Sequence, residues 1–293
     1  MSAVAIDASE SAARYVQNLP PLPAVAQEIL LSLGDEFVDG NQVADVVGKD
    51  PAICARLLGL ANSAYFGAGR PVSDMREVVN RVLGADTVRS LAFALASKQV
   101  LNTSACPAFN AGLFWHRALT CASSCKRIAS VLDELTPLDR EFAYALGLCH
   151  NLGLMAFVHY DPAELDAVLS MDRGEPKQPL SGLLTERYGC DAETLTFELA
   201  RQWALPAQIV EAYAYRANRT KTQISLALVL RAGIRAAQYE ELDAGTQATA
   251  DSADWFGEQS EPLGLSPKDL QTVAVPTEKQ REATESAVEC MSA

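Results

Sequence analysis

Apolar positions recur at helical spacing through almost the whole chain. Ile53, Leu57, Leu60 and Ala61 form a stripe with a 3.6-residue period behind Asp50-Pro51, an acidic cap followed by proline at the first helical position. After Gly84, Val88, Leu91, Ala92 and Leu95 stripe a second helix. The same pattern and its punctuation predict helices over 24–33, 41–47 (capped by Asn41), 73–83 (started by Ser73 or Asp74, with Glu77 behind), 112–132, 139–149 and 153–158. Further helices are predicted from Asp161-Pro162, over 180–188, 191–203, 206–217 and 222–240, and from Ser266-Pro267 and Thr277. No stretch sustains the two-residue alternation of a strand, so the fold class is all-α. No period of roughly 20 to 50 residues repeats, which excludes a solenoid.

The punctuation also divides the chain. Asn, Pro and Gly interrupt the helices near 103–111, which sets an N-terminal helical subdomain at 12–104 against a second at 108–240, packed together. Residues 243–254, rich in Asp, Ala, Gly, Thr, Gln and Ser, read as a linker. Trp255-Phe256 is expected to redock after it, with the last helix fraying, so 241–293 forms an acidic linker and C-terminal helical extension.

Charge narrows the partners. Lys and Arg number 24 against 37 Asp and Glu, a net −13, which argues against nucleic acid because sequence-independent binding to phosphate runs on cationic contacts. From Gln238 to Ala293 there are twelve acidic and three basic residues, net −9, leaving −4 for the rest. The N-terminus, with Asp7 and Glu10, lacks the form of a signal peptide, and the longest apolar run, 142–158, is interrupted by His150 and Asn151. No membrane partner and a cytoplasmic location are expected.

Chemistry-bearing residues are few. The seven cysteines have no paired framework and read as thiols, mostly small core residues. Cys121 and Cys125 lie one helical turn apart on a helix that carries His116, which brings a Cys/Cys/His metal site into question; zinc motifs usually carry a second close pair, absent here. Of the three histidines, His116 and His150 read as hydrogen-bonded core residues or as site residues, and His159 as a helix cap. There is no glycine-rich phosphate loop and no nucleophile elbow. The turn Asn62, Ser63, Tyr65, Phe66 to Arg70 is a candidate groove, its arginine suited to an anion or acidic partner.

Several motifs occur in series: 19–23 (Leu-Pro-Pro-Leu-Pro), 49–52 (Lys-Asp-Pro-Ala), 60–67 (Leu-Ala-Asn-Ser-Ala-Tyr-Phe-Gly), 70–73 (Arg-Pro-Val-Ser), Phe114-Trp115 with Ala118, and 146–153 (Leu-Gly-Leu-Cys-His-Asn-Leu-Gly). Over roughly 14–240 this order resembles the HDOD family, a non-catalytic relative of the HD phosphohydrolases found in bacterial signal transduction. The resemblance implies an N-terminal bundle followed by an HD-like helical bundle. It also implies a remnant metal site, because HD hydrolases hold a divalent ion with a His, a His-Asp doublet and a later Asp. Mapped by motif, these positions are His116, His150-Asn151 and Gly233, so both carboxylates are lost, and Arg216-Ala217 stands where some relatives keep a His pair. Two imidazoles alone are poor holders of Mg²⁺ or Mn²⁺, which prefer oxygen.

The implied protein is therefore no enzyme, takes no cofactor or metal, and works by contact. Its partners would be signalling proteins supplied in trans, of cyclic-di-GMP or two-component pathways, with a small nucleotide messenger as an accompanying ligand. The sequence shows no receiver, GGDEF-like or EAL-like motif, so input and output are expected from partners. The alternative is a surviving HD-superfamily phosphohydrolase acting on nucleotides, its metal held by His116, His150 and Glu141 or Asp139. The mapping expects His116 and His150 to lie close together, with Asn62 to Arg70 and the cleft toward the histidines as contact surfaces.

Overall fold

A computed structural model describes residues 8–32, 39–67, 69–172, 179–215, 225–245 and 252–292. Among them there is no strand. The helices are α1 (Ala8–Gln17), α2 (Ala24–Ser32), α3 (Gly40–Val47), α4 (Pro51–Asn62) and the short α5 (Met75–Glu77), which runs into a π-helical segment, Val78–Leu83. There follow α6 (Ala85–Val100), α7 (Ala111–Ser130), α8 (Pro137–Cys149), α9 (Leu152–Tyr160), α10 (Pro162–Asp172), α11 (Leu180–Tyr188), α12 (Ala192–Gln202), α13 (Ala207–Tyr215), α14 (Leu226–Gly245), α15 (Ser252–Ser260), α16 (Pro267–Ala274) and α17 (Glu278–Ser292).

Local chemistry sets the helix starts. Asp50 accepts from the amides of Ala52 and Ile53, and Ser266 from that of Asp269, both ahead of a proline as the sequence predicts. Helix α3 is capped by Asp39, two residues before the expected Asn41, through a box in which the Gln42 side chain accepts from the Asp39 amide. Asp74 rather than Ser73 caps α5. Gly84, at φ +81, separates the π-helical segment from α6.

Helix α7 is the hub. Its residues Trp115, Ala118, Leu119, Cys121, Ala122, Cys125, Ile128 and Ala129 are buried, and α8, α14, α16 and α17 all pack on it. Residues 137–160 are apolar and long enough to cross a membrane by composition, yet their window is mostly buried inside the protein, as α8 and α9 with a break at His150-Asn151. Residues 101–110 hold turns and no helix. Helix α1, however, leaves its own block and packs on α9 and α12, with the Ser9 hydroxyl donating to Glu198 and the Gln202 amide to the Val16 carbonyl.

The C-terminal extension differs from its sequence reading. Residues 243–245 and 252–254 are helical, and α17 is packed rather than frayed. Phe256, Leu270, Ala274, Ala287 and Met291 are fully buried, and burying a Leu, Phe or Met stabilises by about 1.5–3 kcal/mol each, a driving force that the acidic composition masked. Basic side chains of the body also meet the carbonyl ends of both helices. Arg127 donates to the carbonyls of Val273 and Ala274, joined by the Ser124 hydroxyl; Lys98 donates to those of Met291 and Ser292 at 2.9 and 2.7 Å, and Arg56 to that of Cys290 at 3.1 Å. The negative end of each helix dipole thus faces a cation.

Burial, and then the neighbouring Arg56, pull Lys98 down from 10.5 to about 8. The folded chain then binds fewer protons than the unfolded one between these values. The stability contributed by Lys98 is full above 10.5 and is lost as pH falls through about 8. Wild-type protein should gain on Lys98→Met as pH rises through this window, read by chemical denaturation; a narrowing gap contradicts the assignment. Arg56→Met with Lys98→Met should cost about 1–3 kcal/mol and speed amide exchange across 278–292. Unchanged exchange there would mean that apolar contacts alone hold α17.

Candidate functional site

The doublet His150-Asn151 sits where α8 ends and α9 begins, and two glycines place it there. A Cβ on Gly147 would lie 2.7 Å from Ala122 Cα, and one on Gly153 would lie 2.1 Å from the Ala192 carbonyl oxygen, so α8 meets α7 and α9 meets α12 backbone to backbone. The Gly153 amide donates to Thr196 Oγ1 across that second contact. His150 Nδ1 lies 2.7 Å from the Gly147 carbonyl oxygen, and since a carbonyl only accepts, Nδ1 carries the proton. This is the posture a ligating imidazole commonly takes, its far nitrogen directed by a backbone bond.

A pocket of about 350 Å³ opens beside the doublet. His150 and Asn151 form one wall, Asp191 and Glu193 at the start of α12 another, and Ile234, Ala237 and Gln238 of α14 a third, with Arg117 of α7 at its edge. Asp191 is engaged as the cap of α12, accepting from the amide and hydroxyl of Thr194. Among the described residues no three His, Cys, Asp or Glu are grouped so as to hold a metal ion.

The structure brings only part of the expected set to this pocket. Arg117 lines it, whereas the half-buried His116 is not among its lining residues. Gly233 does not line it either. A Cβ at 233 would lie 2.4 Å from Cys125 Sγ and 3.2 Å from the Cys121 carbonyl oxygen, so this position is the contact of α14 with α7. Both thiols are fully buried, their sulfurs 3.9 Å apart, and Cys125 directs its thiol to the Val229 carbonyl, an arrangement of packing rather than ligation. Asp139 closes the capping box of α8 with Thr136. At about 1.5 Å rise per residue, Asp139 and Glu141 lie about 16 and 13 Å along the helix from His150, beyond shared coordination. Arg216-Ala217 falls outside the described residues. His159 does not cap its own helix: its Nδ1 accepts from the Asn102 amide at 3.0 Å, tying α9 to the chain after α6.

The turn after α4 separates into scaffold and surface. Asn62 exchanges hydrogen bonds with both backbone groups of Val72, and Ser63 donates to the Leu60 carbonyl, which fixes the loop between. Arg70 is exposed beside Glu77. Tyr65 and Phe66, edge to face at 4.7 Å, line a second cavity shared with α7 and α17. Sequence reasoning missed Arg117, Asp191 and Glu193; the polar start of α12 after Cys190 was the signal available for the carboxylates.

With this geometry in hand, the comparisons are consistent. The family model described as HDOD domain matches residues 19–219. An uncharacterised Treponema pallidum (strain Nichols) protein is 25% identical over 211 residues, which cover 71% of this chain and 39% of that one. Three solved structures share the fold. A candidate signal transduction protein from Marinobacter aquaeolei VT8 is 24% identical with TM-score 0.76, covering 95% of this chain and 60% of its own. An HDOD domain protein of unknown function from Geobacter sulfurreducens is 24% identical with TM-score 0.70, covering 90% and 92%. A candidate phosphohydrolase from Shewanella amazonensis SB2B is 23% identical with TM-score 0.72, covering 95% and 98%. The chain thus spans less than two thirds of the Treponema and Marinobacter proteins.

Gly233→Ala should cost about 1–3 kcal/mol through overpacking against Cys125, and Gly233→Asp more, because a carboxylate would be buried without a partner. Cys125→Ala in the Gly233→Ala background should recover part of the loss, and Asn151→Asp alone should unfold within a few degrees of wild type. Thermal unfolding of the four variants checks this. Gly233→Asp as stable as wild type would show that position 233 does open onto the pocket.

Proposed function

The chain belongs to the HDOD family, and from that premise we propose that it is a non-catalytic bacterial signal-transduction module acting by contact with other proteins. The observation that carries this reading is the donor set around His150. The pocket offers one imidazole, the amides of Asn151 and Gln238 and the carboxylate of Glu193, with Asp191 already engaged as a helix cap, and among the described residues no three His, Cys, Asp or Glu come together there. A hard divalent ion needs several oxygen donors and gains little from that set, so the residues present do not fit a catalytic Mg²⁺ or Mn²⁺. No water is then acidified for attack on phosphorus, and no hydrolytic step is assigned.

The acidity of the chain, net −13, supports protein partners over nucleic acid. We place it in the cytoplasm, and we assign it partners supplied in trans by cyclic-di-GMP or two-component pathways. The phosphohydrolase alternative rests on the ligand-like posture of His150 and on the nearness of Asp191 and Glu193.

Purified protein dialysed against chelator and reloaded with Mn²⁺ should hydrolyse neither bis-p-nitrophenyl phosphate nor cyclic-di-GMP, and His150→Ala should leave that background unchanged. Metal-dependent turnover that His150→Ala abolishes would establish the alternative.

A further inference from the structure

The second cavity carries a chemistry of its own. It measures about 600 Å³, within the range of small-molecule sites, and lies between the turn after α4, the π-helical segment, Thr87 of α6, α7, Tyr144 of α8 and α17 with Pro276 ahead of it. Its walls combine aromatic rings, hydroxyls and cations with no carboxylate.

The distribution of charge on α17 makes that absence informative. This helix lies in the most acidic part of the chain, and Glu278, Glu282, Glu285 and Glu289 are all exposed. The face it gives to the cavity is Lys279, Gln280, Ala283 and Thr284, a helical stripe whose charge is one ammonium. Across the cavity stands Lys126, its ammonium 5.7 Å from the centre of the Tyr144 ring and 3.3 Å from Thr87 Oγ1. Neither lysine has a carboxylate within ion-pair distance among the described residues. The third cation, Arg127, is occupied at the carbonyl end of α16.

Two ammonium groups facing one cavity attract an anion, and the flanking rings offer faces to a planar group. Tyr65 and Phe66 come from a turn already pinned by Asn62, so that wall is preorganised. Val82 and Leu83 come from the π-helical segment, a rare conformation that recurs at functional sites.

We propose that this cavity binds a small ligand made of a planar ring and a phosphate, with the anion between Lys126 and Lys279 and the ring against Tyr65 and Phe66. The proposal goes beyond the protein-contact role and is independent of the His150 pocket, so either reading survives failure of the other.

Titration calorimetry with GMP, guanosine and inorganic phosphate tests it on the full chain. GMP should bind saturably, phosphate should compete with it, and guanosine should bind at least about tenfold more weakly, since one charge-assisted contact is worth about that factor. Lys126→Ala and Lys279→Ala should each weaken GMP by about tenfold, while His150→Ala leaves it unchanged. Lys279 is exposed, so its substitution reports on binding even if Lys126→Ala disturbs α7. Absence of saturable GMP binding up to about 5 mM, equal binding of guanosine, or a loss confined to His150→Ala would each overturn the proposal.

Discussion

Everything in this fold depends on how closely other helices can approach α7. Gly147 brings α8 against Ala122 with no side chain between, and Gly233 brings α14 against Cys121 and Cys125. Small residues on α7 itself complete the fit. Such contacts cannot be relaxed by a rotamer change, because the opposing atoms are backbone or fully buried sulfur. Helix α7 therefore fixes the position of the His150-Asn151 turn and of the α14 wall opposite it.

That constraint also shapes the pocket beside the doublet. The His150-Asn151 turn, with its carbonyl-bound imidazole, lies between Gly147 and Gly153, whose close backbone contacts with α7 and α12 hold it in place. Around the pocket stand Asn151 beside His150, Asp191 and Glu193 of α12, and Ile234, Ala237 and Gln238 of α14. Of the two carboxylates there, Asp191 serves a helix end.

Much of the fold was legible because its signals are local. Asp50-Pro51, Asp191 and Ser266-Pro267 announce helix starts that the structure reproduces, and the 3.6-residue stripes announce helices wherever one face is apolar. Candidate-site residues were legible only as motif positions. Neither Arg117 in place of His116 at the pocket edge nor the inward orientation of Gly233 can be read from spacing, since each depends on the rotation of one helix against another. Helix α1 and the docking of α17 escaped for a related reason: both are short amphipathic segments whose partners lie some two hundred residues away in the chain.

The cations that meet the carbonyl ends of α16 and α17 have a consequence for the order of assembly. Arg56, Lys98 and Arg127 belong to the first half of the chain, while the carbonyls they serve lie within its last twenty or so residues. During synthesis from the N-terminus, the body emerges well before the helices that cover one side of α7. Ser124 and its apolar neighbours on that side face solvent until Leu270, Ala274, Ala287 and Met291 have left the ribosome. A chain that stops short of α16 therefore leaves this apolar side of α7 uncovered, the kind of exposed surface that favours aggregation and proteolysis.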